Sequence, residues 1–223
     1  MASSKPPQSC PICGGEVFVA GPKGRAAPNG SPPRCAGCGS LERHRAFRVV
    51  LSALAPLFSG GRALQFSEDL ALPREAFGTV EVSVYGGANS LDMAAIDRPD
   101  GSYDLVVANH VLEHVADDRA ALAELARVGR AVFLSVPDLL RVERTVEYGR
   151  PRADKHGHYR LYGPDIEARW REAVPDWAGI GVVAADPVTG APDRATLLSR
   201  SGALLAAAAG RLEAAGLRPF AAL

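Results

Sequence analysis

The run Tyr103-Asp104-Leu105-Val106-Val107-Ala108 leads straight into Asn109-His110-Val111-Leu112-Glu113-His114, and this junction restricts the fold more than any other stretch of the chain. Its first half is apolar and Val-rich with no Gly or Pro, which predicts a strand buried on both faces in the middle of a parallel sheet. Its second half is polar and begins where the strand stops. Behind it, Asp117 to Val128 places apolar residues at helical spacing after an acidic first turn, and Gly129 supplies a stop. Strand, polar turn and helix make half of a βαβ unit, so the chain reads as α/β. In open α/β sheets a ligand lies beyond the carboxyl ends of the strands, which makes Asn109, His110, Glu113 and His114 candidate site residues. The spacing His110-x-x-Glu113-His114 also matches an inverted zinc-protease signature, but that motif needs both histidines on one helix face. A strand running directly into His110 leaves no room for the turn, and the reading is rejected.

All four cysteines precede residue 40, as Cys10-Pro11-Ile12-Cys13 and Cys35-Ala36-Gly37-Cys38, two knuckles separated by twenty-one residues. Each knuckle bends two thiolates around one cation, and two knuckles complete a tetrahedral Zn²⁺ site at about 2.3 Å per sulfur. The competing readings are two disulfides or a redox pair. Disulfides are rare in a chain without an export signal, and Met1–Pro7 lacks the apolar core of one. A redox pair wants a single Cys-x-x-Cys on a βαβ unit. Four sulfurs with no spare position make the metal structural. The expected organisation is a zinc ribbon over residues 1–40 and an α/β domain over 41–223, with Gly21 to Pro33 a Gly- and Pro-rich mobile loop between the knuckles.

Directly after the second knuckle, Gly39-Ser40-Leu41-Glu42-Arg43-His44-Arg45 opens a predicted helix with Ser40 as its N-cap. The basic cluster Arg43, His44, Arg45 and Arg48 is either a phosphate contact or a solvated helix face. A knuckle pair running into Cys38-Gly39-Ser40-Leu41-Glu42-Arg43-His44-Arg45, followed downstream by Asn109-His110-Val111-Leu112-Glu113-His114, resembles a bacterial subgroup of class I S-adenosylmethionine-dependent methyltransferases with an N-terminal zinc ribbon. The resemblance implies a Rossmann-like methyltransferase sheet, a structural zinc on Cys10, Cys13, Cys35 and Cys38, and S-adenosylmethionine as cofactor. It implies that Gln65, Phe66, Ser67 and Glu68 form the first cofactor loop, in place of the usual Gly-rich one, with Glu68 placed for the cofactor ammonium. It implies a contact from Asp97 to the adenine amine and one from Asn109 at the strand end. At the end of the next strand, where the family carries an acidic residue for the ribose hydroxyls, this chain has Tyr85-Gly86-Gly87; Tyr85 and Gly86 are the substitutes at hand. His110, Glu113, His114 and His158 are the candidates for a base that deprotonates the acceptor, or for a divalent-metal cluster that lowers a hydroxyl pKa. His158, in the family-like phrase His158-x-x-x-Tyr162-Gly163, is the first choice.

Lys plus Arg equals Asp plus Glu at 25 each, so no global basic field draws the chain to nucleic acid or an anionic membrane. That balance favours a small-molecule acceptor, a sugar or natural-product intermediate, over RNA gripped by the ribbon. The loss of the ribose carboxylate also leaves open a methyltransferase fold kept as a non-catalytic scaffold. No apolar run approaches a membrane span, and the expected location is the cytoplasm. The remaining elements read as follows: a strand and then a helix Leu70 to Phe77 after Gly60-Gly61; a strand Thr79 to Tyr85; a third-strand region Leu91 to Asp97; a strand Arg130 to Pro137; a lid from Asp138 to Gly163; a helix from Pro164; a strand Ile180 to Ala184; and a helix Ala195 to Leu217. Phe220 belongs, on this reading, to a seventh strand.

Overall fold

The computed structural model describes residues 9–137 and 142–223. Strands β1 (Phe18–Val19) and β2 (Arg34–Cys35) pair antiparallel and tie the two knuckles together. Helix α1 (Glu42–Leu54) follows, then β3 (Arg62–Phe66), β4 (Thr79–Ser83) and β5 (Leu105–Asn109). Helix α2 (Asp118–Val128) leads to β6 (Ala131–Ser135). A separate hairpin of β7 (Val146–Arg152) and β8 (His158–Leu161) precedes α3 (Ile166–Ala173). Strands β9 (Ala178–Ala185) and β10 (Pro192–Ser199), helix α4 (Gly202–Ala214) and β11 (Pro219–Ala221) complete the order.

The main sheet has seven strands in the order β11-β9-β10-β6-β5-β3-β4. The four strands β4, β3, β5 and β6 are parallel, and β10 runs antiparallel to both β6 and β9. The period-2 alternation of strand side chains divides the core into two layers. Leu64, Phe66, Val106, Ala108, Val132 and Leu134 pack with Leu122 and Leu125 of α2 and Trp170 of α3. Ala63, Leu105, Val107, Ala131 and Phe133 pack with Phe47, Val50 and Leu51 of α1 and Leu205 of α4. Every residue of β5 and β6 is buried, which is why these segments read as unbroken apolar runs. The α/β sheet expected from the Tyr103–His114 junction is the observed fold, with the Rossmann-like arrangement that the resemblance implied. Gly129 follows the last residue of α2 in extended backbone, and only glycine fits there, since a Cβ would lie 2.6 Å from Val106 Cγ2.

Several local expectations fail for identifiable reasons. No α-helix covers Leu70 to Phe77; Asp69 Oδ1 accepts the Ala71 N–H, Pro73 cannot donate, and only a 3₁₀ turn at Arg74–Ala76 forms. Thr79 to Tyr85 is a strand only as far as Ser83. Leu91 to Asp97 is not a strand. Its Met93 and Ile96 enter the core, but Asp92 turns on itself to accept the Ala94 N–H, and β4 stays at the sheet edge. The predicted helix from Ala195 begins only at Gly202, with Ser201 as its cap. The preceding residues form β10, where Leu197 and Leu198 are buried on opposite faces and so lose the alternation that marks a strand. Phe220 lies in β11, which pairs with β9 at the other sheet edge. The Asp138–Gly163 stretch contains the β7–β8 hairpin; Asp138 itself, like Met1–Pro7, lies outside the described residues. Gly21 to Pro33 is built of turns that dock on the main body: Arg25 holds Glu42 bidentately at 2.8 and 2.7 Å, and Asn29 donates to the Thr189 carbonyl.

Candidate functional site

Chain order places β4 on one side of β3 and β5 on the other, so the sheet reverses its winding between β3 and β5. A crevice opens at the carboxyl ends of strands at such a switch point. Both strands end there in a residue with left-handed backbone, Ser67 (φ 67°) and His110 (φ 52°). A third, His156 (φ 57°), sits on the hairpin turn above. Such backbone costs a non-glycine residue about 1 kcal/mol or more and is concentrated at functional sites.

Three elements close over the crevice. From β5 come Asn109, 2 % exposed, and Glu113, 1 % exposed on the 3₁₀ turn Leu112–His114. From the hairpin comes His158, whose ring meets that of His114 edge-on at 4.6 Å between centroids. The hairpin is docked by Arg160, a residue that sequence reasoning passed over. Its buried guanidinium donates to the carbonyls of Leu112, Val115 and Ala116 and pairs with Glu147. From α1 comes Arg43, whose Nη1 lies 3.4 Å from His110 Nδ1. Since Arg only donates, His110 Nδ1 is the acceptor, and its Nε2 faces Asp193 Oδ2 at 3.9 Å. His110 and His114 therefore point to different neighbours, as expected once the helical protease geometry is set aside.

Burial sets the proton states. It pushes Glu113 up to about 8, against the pull of its own backbone N–H and the charges of Arg43 and Arg160. Glu113 is thus a neutral acid at neutral pH and a donor rather than an acceptor of protons. Burial, with the charges of Arg43 and His44 behind it, drives His110 down to about 3, so its imidazole stays uncharged. Six buried polar atoms at this edge have no hydrogen-bond partner among the described residues: Asn109 Nδ2, His110 Nε2, Glu113 Oε2, Gln65 Oε1, Asp69 Oδ2 and Arg43 Nε. Unsatisfied groups of this kind call for a polar ligand or ordered water.

The residues expected to hold a cofactor are only partly together. Gln65 is buried and donates to the carbonyls of Ser67 and Asp69, pinning the β3 loop; Phe66 is core; Ser67 and Glu68 are exposed beside the crevice. Tyr85 is 101 % exposed in the turn after β4, where Gly86 adopts φ 71° and donates to Ser90. Asp97 lies elsewhere. Its neighbours Ile96 and Arg98 bind Glu124 and Arg127 at the far end of α2, towards the opposite edge of the sheet.

The basic cluster is not a solvated face. Arg45 is 0 % exposed and binds Asp186 through two hydrogen bonds of 2.8 and 2.7 Å, with Nη1 on the Ser40 carbonyl. His44 accepts the Leu41 N–H, so the cap is one residue later than Ser40, and Arg48 pairs with Glu75. Ser40 is buried against the cysteines, bonding Cys10 and Cys38.

Cys10, Cys13, Cys35 and Cys38 have sulfurs all within 4.8 Å of one another, with Cys10–Cys38 at 3.7 Å and Cys13–Cys35 at 3.6 Å. Four sulfurs placed tetrahedrally about zinc would be about 3.8 Å apart. A Cβ on Gly15 would press within 3.4 Å of two of these sulfurs, so the glycine after the knuckle is needed for room. Although burial works the other way, the Ser40 hydroxyl and the Ile12 and Cys13 backbone hold Cys10 down to about 7. Against the pull of the Gly15 backbone, burial and the neighbouring sulfurs push Cys13 up to about 12. Four thiols this close do not all ionise without a cation between them, so the cluster fits a zinc ion.

Two surface clefts, of about 530 and 630 Å³, both lie at the opposite edge of the sheet, one near Arg62, Thr79 and Tyr103 and the other near Arg127, Trp177 and Arg200. Neither touches the strand-end residues. The chemistry-bearing groups, not hollow volume, mark the site. No helix among the described residues is long and apolar enough to cross a membrane.

Residues 67–131, under a third of the chain, match the family model described as a methyltransferase domain. No curated protein matches the sequence. Among solved structures, the chain is similar to an S-adenosylmethionine-dependent methyltransferase of Thermotoga maritima described as a possible histamine N-methyltransferase. The identity is 16 % and the TM-score 0.45, over 71 % of this chain and 91 % of that one. It is also similar to the 1,6-didemethyltoxoflavin-N1-methyltransferase of Burkholderia thailandensis, solved with 1,6-didemethyltoxoflavin and S-adenosylhomocysteine. There the identity is 15 % and the TM-score 0.49, over 70 % and 78 % of the two chains. Likenesses this distant carry nothing about substrate.

Proposed function

We propose that the protein is an S-adenosylmethionine-dependent methyltransferase acting on an oxygen or nitrogen of a small molecule, such as a sugar or natural-product intermediate, at the carboxyl edge between β3 and β5. The observation that carries the reading is the convergence there of Asn109, Glu113 and His114, on the segment that matches a methyltransferase domain, with His158 of the hairpin, around buried polar atoms without hydrogen-bond partners. Those orphaned atoms fit a polar cofactor at the strand ends. S-adenosylmethionine, when bound, supplies a methyl group on a positively charged sulfur. Gln65, Ser67 and Glu68 on the β3 loop, Tyr85 and Gly86 after β4, and Asn109 are the residues that would hold it. Asp97, at the far side, is left out.

The chain's own contribution is largely positioning, with a base to take the acceptor proton. Glu113, protonated near neutrality, and His110, committed to Arg43, are poorly suited to that role. His158, brought over the site by the Arg160-docked hairpin, is the base, with His114 beside it. The ribbon holds one zinc through Cys10, Cys13, Cys35 and Cys38, and zinc analysis of the purified protein near one equivalent checks it.

Calorimetric titration with S-adenosylmethionine tests the central claim. Binding is expected, and His158→Ala should leave it unchanged while lowering acceptor methylation by about 10²–10⁴-fold. A wild-type protein that binds no S-adenosylmethionine overturns the reading in favour of a non-catalytic scaffold.

A further inference from the structure

We infer that Glu113, His114 and His158 form a second metal site, a divalent first-row cation held by two imidazoles and one carboxylate on the roof of the strand-end crevice, distinct from the cysteine ribbon. One ligand atom from each of the three lies within 4.8 Å of the others. Metal–nitrogen and metal–oxygen bonds of about 2.0–2.2 Å put neighbouring ligand atoms about 3.0–3.5 Å apart. The 4.8 Å limit exceeds that spacing by less than about 2 Å, a difference within the reach of side-chain torsions.

Two independent features point to a ligand. Glu113 is 1 % exposed and its Oε2 has no partner among the described residues, although it stands beside two imidazoles. Burying a carboxyl that way is costly unless something compensates it. The third ligand is also delivered on a rigid support. Arg160, 3 % exposed, fastens β8 to the carbonyls of Leu112, Val115 and Ala116, the same turn that carries Glu113 and His114. His158 is thereby held against a turn 45 residues away in the chain. His114 is exposed, so the outer side of the site is open to solvent. Two nitrogens and one oxygen with positions to spare suit Mn²⁺, Fe²⁺, Co²⁺ or Zn²⁺ rather than Ca²⁺ or Mg²⁺, which prefer all-oxygen sites. His110 is excluded from the set, because it faces Arg43 and Asp193.

With a cation bound, His158 is a ligand rather than the base of the proposed function, and the cation would lower the acceptor hydroxyl's pKa in its place; metal binding itself is tested independently of the methyl-transfer reading. What rests on that reading is the consequence that an acceptor oxygen occupies the open positions, which favours alcohols over amines as substrates.

The test is titration of the zinc-loaded, full-length protein with Co²⁺, followed by calorimetry and visible absorption. One equivalent of Co²⁺ is expected beyond the ribbon zinc, with the weak bands of a nitrogen and oxygen site and no thiolate charge transfer. His158→Ala, His114→Ala and Glu113→Gln should each weaken Co²⁺ binding by at least about tenfold while zinc content and far-ultraviolet dichroism stay as in wild type. Should Glu113→Gln not fold, the two histidine variants decide. Co²⁺ that enters only by displacing the ribbon zinc, or that binds His158→Ala as tightly as wild type, overturns the inference. Loss of S-adenosylmethionine binding in the wild type would leave this result standing, and absent Co²⁺ binding would leave methyl transfer standing.

Discussion

Arg45 and Asn109 are buried almost equally, at 0 % and 2 % exposed, yet their surroundings obey opposite rules. Around Arg45 the polar atoms are matched. Its guanidinium meets Asp186 and the Ser40 carbonyl, and Asp186 also takes the N–H groups of Val188 and Thr189 and the Thr189 hydroxyl. Those bonds hold Asp186 below the usual carboxylate range even though burial works to raise it. Around Asn109 the matching breaks down: one amide oxygen accepts from Ser135, and the amide nitrogen, Glu113, Asp69 and Gln65 each leave an atom unpaired. One turn of α1 touches both regions, with Arg43 at the strand ends and Arg45 in the matched latch. The difference separates structure from function. The Arg45–Asp186 latch is satisfied within the protein, while Asn109 and its neighbours keep bonding capacity that a ligand or water could use.

The largest effect should come from breaking the matched side. Asp186→Ala leaves the Arg45 charge buried and unpaired, and should cost about 3–5 kcal/mol of stability in urea unfolding. A loss below about 1 kcal/mol would mean that the latch is less important than its burial implies. Next comes pH. His110 sits at about 3 in the folded chain against an ordinary 6.5, so the unfolded chain binds the extra proton between those values. Its contribution is therefore fully present above pH 6.5 and lost as pH falls towards 3, by at most about 5 kcal/mol. His110→Gln should flatten that limb of a stability-versus-pH curve, and an unchanged acid limb would show that the imidazole is not buried neutral.

The unmatched side should respond in the reverse way. Asn109→Ala is expected to change stability by no more than about 1 kcal/mol, since its amide nitrogen has no protein partner to lose, yet to weaken S-adenosylmethionine binding several-fold. Equal losses in both measurements would erase the distinction between the two regions. The smallest effect concerns the strand end that lacks a carboxylate. Tyr85→Asp should tighten S-adenosylmethionine binding by up to about tenfold if one charged hydrogen bond is gained, with stability unchanged because Tyr85 is fully exposed. Weaker binding in that variant would place the ribose away from residue 85.

Local pattern carried the parts of this protein whose physics is local. An unbroken apolar run can only be a strand buried on both faces or a buried helix, and the polar Asn109–His114 stretch after it settled the matter, so β5, its turn and α2 were legible. The cysteine knuckles were legible for the same reason, since four thiolates at that spacing have few uses. What the tertiary structure alone decided is wherever a residue's partner lies far along the chain. Arg45 looked like surface charge until Asp186, 141 residues on, took both its nitrogens. Arg160 looked unremarkable until its donors met three carbonyls of the Leu112–Ala116 turn. Strand β10 looked helical because both its faces are covered, by layers contributed from elements on either side of it. Leu91–Asp97 looked like a strand until Asp92 turned the backbone on itself. The strand-end site follows the same division: residue types at the end of β5 were set by the sequence, but the approach of His158 and Arg43 to them depends on long-range packing, because no local period encodes which distant side chain a buried polar group will meet.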